Sequence, residues 1–66
     1  MYIEIRFNED GTAILEKHEN GELLERKTCL YATKVMVWMV KTGHQWQWHK
    51  DLDTGEEIAV WEKEPV

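Results

Sequence analysis

Sixty-six residues with one cysteine and no serine allow one domain, 1–66, and exclude both an internal disulfide and Ser-His-Asp or Ser-Lys catalysis. The net charge of −5 is banded: residues 1–25 carry seven acids against Arg6 and Lys17, residues 26–50 carry five bases and no acid, and residues 51–66 carry six acids against Lys63. A chain this short buries only about 60% of its unfolded surface. The four tryptophans are the expected compensation, because one aromatic side chain buries roughly 150–250 Å².

Residues 2–7 read as a strand, with Ile3, Ile5 and Phe7 alternating against Tyr2, Glu4 and Arg6. Asn8-Glu9-Asp10-Gly11 is a turn, and a return strand over 12–18 sets Phe7 opposite Ala13, Ile5 opposite Leu15 and Ile3 opposite Lys17. Asn20-Gly21 is the strongest turn signal, suited to a two-residue hairpin in which both residues take positive φ. The third strand, 22–27, is poorly patterned: Leu23 and Leu24 point to opposite faces, so an edge strand is expected, or one with its second face partly covered by the helix.

The central stretch, 28–50, holds Cys29, three of the four tryptophans and the apolar run Val35 to Val40. As a strand that run must be buried on both faces, which so short a chain can hardly provide. As a helix over 29–42 it places Tyr31, Val35, Trp38 and Met39 on one stripe, flanked by Ala32 and Met36, with Lys34 and Lys41 opposite. Thr28 is the expected N-cap and Gly43 the stop. A strand over 45–50 follows, then a turn at Asp53-Thr54-Gly55 and a strand over 57–62. That three-residue loop pairs Trp48 with Val60 and Lys50 with Ile58, and puts Trp61 on the non-core face beside His49. Glu64-Pro65-Val66 reads as a tail.

The fold class is therefore α+β: a small single-layer antiparallel sheet (β-hairpin, short strand, helix, β-hairpin) with one amphipathic helix packed on it. The alternative is an all-β meander that uses Val35–Val40 as a strand.

Nothing in the sequence points to catalysis. Cys29 with His44 or His49 offers a thiolate pair in principle, but a lone cysteine at an apolar helix start reads as a small hydrophobe. Asp51-x-Asp53-x-Gly55-Glu56 lacks the third acid of a calcium loop and brings its glycine one position early. No enzyme, cofactor or metal site is expected.

Binding surfaces remain. Glu4, Glu16 and Glu25 are expected to line up across the outer face of the first three strands, with Glu19 and Glu22 at one end. This surface suits a basic protein partner, for an inhibitor or modulator whose carboxylate rows imitate a phosphate backbone. The likeness to small phage and mobile-element inhibitors is one of size and charge alone. The alternatives are a nucleic-acid-binding middle band, in which Trp, His and Lys interleave over 45–50, and a homodimer joined through Trp61, Tyr2 and Ile14. His49 and Trp61 complete the partner-binding candidates. One cysteine and no apolar segment of signal or membrane-spanning length place the expected site of action in the cytoplasm.

Overall fold

The computed structural model describes residues 1–63; the tail read at 64–66 lies outside them. The strands are β1 (Tyr2–Phe7), β2 (Ala13–Glu19), β3 (Glu22–Cys29), β4 (Gln47–Lys50) and β5 (Glu57–Glu62), with one helix, α1 (Ala32–Thr42), between β3 and β4. The strands form one antiparallel sheet in the order β3-β2-β1-β5-β4. The protein is thus a small mixed α+β domain, and the helix at 32–42 removes the all-β alternative.

The first hairpin takes the register that its alternation dictates, Ile5 against Leu15 and Phe7 against Ala13. Gly11 sits at φ 89, and the Asn8 N–H donates to the Thr12 carbonyl at 2.9 Å. Asn20 and Gly21 have φ 51 and 80, so the second turn is the tight one in which both central residues are left-handed. β3 is an edge strand, as its pattern implies.

The helix begins later than expected. Thr28 and Cys29 extend β3 by pairing with Ile14 and Ala13, so Thr28 is not the cap. Tyr31 occupies the N-cap position with no side-chain bond, and the Ala32 N–H instead donates to the Gly11 carbonyl at 2.8 Å. The β1–β2 turn thereby satisfies the first of the N–H groups that the helix start leaves without an intrahelical partner. At the other end Gly43 is left-handed at φ 70. The Met39 carbonyl, left over by the last turn, accepts from Thr42 Oγ1 at 2.7 Å and from the Trp46 indole at 3.3 Å.

The last hairpin is offset from expectation by one residue. Trp48 pairs with Ala59 and Lys50 with Glu57, while Gln47 and His49 face Val60 and Ile58. Leu52 leaves the ladder and joins the loop, where it is 92% exposed. Because strand side chains alternate, this slip exchanges the faces of β5. Trp61 and Ala59 turn to the core, and Ile58 and Val60 turn away from it. The core comprises Ile3, Ile5, Phe7, Ala13, Leu15 and Ala59 from one face of the sheet, with Val35 and Met39 from α1; Cys29, Ala32, Trp46 and Trp61 pack against it.

Asp51 organises the new loop. Its carboxylate accepts the Asp53 N–H at 2.9 Å and meets the Arg6 guanidinium at 3.2 Å, which also lies 3.8 Å from Glu56. The Asp53 N–H, then Arg6, hold the Asp51 carboxyl below its usual range. A folded value below the unfolded one means that this stabilisation is complete above the ordinary aspartate pKa of about 4 and disappears as pH falls through the folded value. Thermal melts should therefore lose more on going from pH 6 to pH 2 in the native chain than in Asp51→Ala. Parallel losses in the two proteins would show that Asp51 contributes nothing.

Candidate protein-binding surfaces

The two faces of the sheet differ in chemistry, and the registers fix which side chains share each. On the face away from the core, one row runs Thr28, Ile14, Arg6, Ile58, His49, and the next runs Arg26, Glu16, Glu4, Val60, Gln47. Tyr2 lies between His18 and Glu62 in a third. None of these residues is buried, so no core is formed on this side.

The electrostatics of this face are unbalanced. Glu4 stands directly opposite Glu16. Glu16 is compensated by Arg26 at 3.3 Å and lies 3.1 Å from His18 Nε2. Glu4 has no ion-pair partner among the described residues. Like charges set opposite each other destabilise a sheet by a few tenths of a kcal/mol up to about 1. The Tyr2 hydroxyl registers the same field: its pKa is raised by burial first, then by Glu4, Glu62 and Glu16.

Glu25 is not part of this row. β3 carries a bulge against Lys17 and His18, so that Lys17 faces Glu25 while His18 faces Leu23. The extra residue, Leu24, shifts everything beyond it by one position and moves Glu25 to the core face, where Lys17 holds it at 3.5 Å. Glu19 and Glu22 face each other at the Asn20-Gly21 turn, both exposed. The unassigned member of the acidic face is Glu62, which reading β5 one residue out of register concealed.

Trp61 is on the other side from Tyr2 and Ile14, so the apolar patch expected for a homodimer is not assembled. Its ring stacks on His44, with centroids 3.8 Å apart and planes 12° apart. His49 does sit on the open face, at the β4 edge. Over 45–50, Trp46 is committed to Met39, and Trp48, 52% exposed and stacked on Phe7, offers the large aromatic surface beside His49 and Lys50. Cys29 and His49 end on the two opposite edges of the sheet, four strand spacings or about 19 Å apart, which removes a thiolate pair between those two. The Asp51 oxygens are taken up by loop N–H groups and Arg6 rather than held open for a cation. Among the described residues no helix is long and apolar enough to cross a membrane.

On the core side, α1 leaves part of β2 and β3 uncovered as a groove of about 550 Å³. Sequence reasoning missed this groove, because it depends on Lys27 and Glu25 facing the helix, which only the bulge brings about. No protein-family model, curated protein or solved structure matches the chain.

Proposed function

We propose that the protein acts by binding rather than by catalysis, and that its open sheet face holds a basic surface of a protein partner, as an inhibitor or modulator does. The observation that carries this reading is Glu4 set opposite Glu16 with no cation of its own, on a face where no residue is buried. A lysine or arginine from a partner placed between Glu4 and Glu62 relieves repulsion that the isolated fold retains. Ile14, Ile58 and Val60 in the same rows add apolar contact around the charges. A lone cysteine fits action in the reducing cytoplasm.

A blocked octa-arginine peptide titrated into isotope-labelled protein tests this surface. Amide shifts should centre on Tyr2, Glu4, Glu16 and Glu62 and shrink between roughly 50 and 200 mM salt. Glu4→Lys with Glu62→Lys should weaken binding about tenfold or more, the worth of two lost charge contacts. A fold that stays intact while binding is unchanged sinks the idea. So does equal weakening by Glu9→Lys with Asp53→Lys in the loops, because attraction would then be indifferent to the sheet face. The same titration with a single-stranded oligonucleotide should give no response at Trp48.

A further inference from the structure

The groove beside α1 has a floor of Leu15 and Val35 and a wall of Tyr31 and Trp38. Its rim carries Lys17, Lys27 and Lys34 against a single carboxylate, Glu25. Glu25 is matched by Lys17, and neither Lys27 nor Lys34 has a carboxylate within ion-pair distance among the described residues. Lys34 lies instead over the Tyr31 ring, 5.3 Å from its centroid. In a chain of net charge −5 this is a local excess of positive charge around an apolar trough.

One side of the trough is a strand edge. Among the described residues β3 pairs only with β2, and it runs for eight residues and is exposed along nearly its whole length. The opposite edge strand, β4, has four. Edges are commonly kept short because their outward N–H and C=O groups invite another strand, and β3 is the longest strand among the described residues.

We propose that β3 and the groove form a peptide-binding site, in which an extended segment of a partner protein, acidic and apolar in composition, adds to β3 as a sixth strand. The backbone of the segment bonds to the β3 edge, and its alternate side chains enter the groove. A carboxylate in that segment opposite Lys27 reaches Lys27 and Lys34, and an apolar neighbour opposite Cys29 meets Tyr31 and Leu30, which are 61% and 72% exposed. A second copy of the chain is a poor occupant. Twofold antiparallel pairing sets one residue against its own copy, so centring on Glu25, Arg26 or Lys27 opposes like charges, and centring on Leu24 meets the bulge. The site lies across the sheet from the carboxylate face and does not depend on that face binding anything.

Cys29 lines the groove and is the only thiol, so its alkylation by iodoacetamide reports occupancy. Two blocked seven-residue peptides serve as probes, one alternating valine with glutamate and one alternating valine with lysine. At millimolar concentration the glutamate peptide should slow alkylation about fivefold or more and shift the β3 amides, with the lysine peptide doing neither. In Lys27→Glu with Lys34→Glu, two exposed positions where the fold is expected to persist, binding of the glutamate peptide should fall at least about tenfold and the preference should reverse. Equal effects from the two peptides, or no protection by either, overturn the proposal. Protection that rises with protein concentration in the absence of peptide also overturns it, by naming a second copy as the occupant.

Discussion

Ile5→Ala should remove a large part of the fold's stability. Ile5 is fully buried in the central strand, between Leu15 and Ala59, and shares its core with Val35 and Met39. Truncating such a side chain costs about 2–5 kcal/mol, the transfer term plus the cavity left behind. A domain of 66 residues has a total stability of only about 3–10 kcal/mol. Little can move to refill the hole, because Ala59 on one side has no side chain to swing and the backbone on both sides is held in the ladder. The melting temperature should drop by roughly 8–40 °C, at 4–8 °C per kcal/mol for a domain of this size. Ile14→Ala, on the open face of the adjacent strand, is the control and should cost less than about 1 kcal/mol, since its side chain loses partial contact and leaves no cavity. Circular-dichroism melts of the two variants decide the matter; similar midpoints would mean that the core is not where the burial places it.

How much of this was legible from residues alone follows one physical rule. Where only one parity of a strand is apolar, the register is written in the chain. Ile3, Ile5 and Phe7 against Glu4 and Arg6 leave no choice of face, and the first hairpin forms as its sequence implies. Gly43 and Asn20-Gly21 are equally explicit, because each takes a left-handed conformation that other residues reach only at a cost. Where both parities are apolar, local pattern does not choose between the two faces. β5 offers Ile58 and Val60 on one side and Ala59 and Trp61 on the other, and β3 offers Leu23 and Leu24. In both places one residue decides. Leu52 enters the loop and flips β5, and the bulge at Leu24 shifts the remainder of β3. The helix start was hidden for a different reason: its first N–H is satisfied by the Gly11 carbonyl, a partner twenty-one residues away in the chain. The candidate sites follow the same division. Glu4 and Glu16 stay together because they lie in the unambiguous hairpin. Glu25 and Trp61 change faces because each lies beyond a position where one residue's placement is undetermined by local pattern.

Trp61→Ala should destabilise the fold and leave its state of association alone, the reverse of what an exposed dimer residue does. The indole sits on the core face in register with Ile3 and packs against the core cluster. Its stack on His44 ties the end of β5 to the chain just past α1, where the His44 N–H meets Thr42 Oγ1 and that hydroxyl in turn donates to Met39. Removing the ring opens the sheet beneath the helix C-terminus and strips His44 of its stacking neighbour, which leaves that ring only its edge contact with Trp46. Burial of Trp61 is partial, so the cost belongs near the lower end of the range for aromatic truncation, at about 2–4 kcal/mol. Trp61→Phe keeps a ring to stack and should lose about 1 kcal/mol. A double-mutant cycle with His44→Ala isolates the stack and should return about 0.5–1.5 kcal/mol of coupling. Urea melts give the stabilities, and sedimentation at several concentrations gives the association state. If Trp61→Ala kept full stability and altered sedimentation instead, the β5 register would have to slip back by one residue. Ile58 and Val60 would then return to the core face, and the open face would lose the apolar surround assigned to its carboxylates.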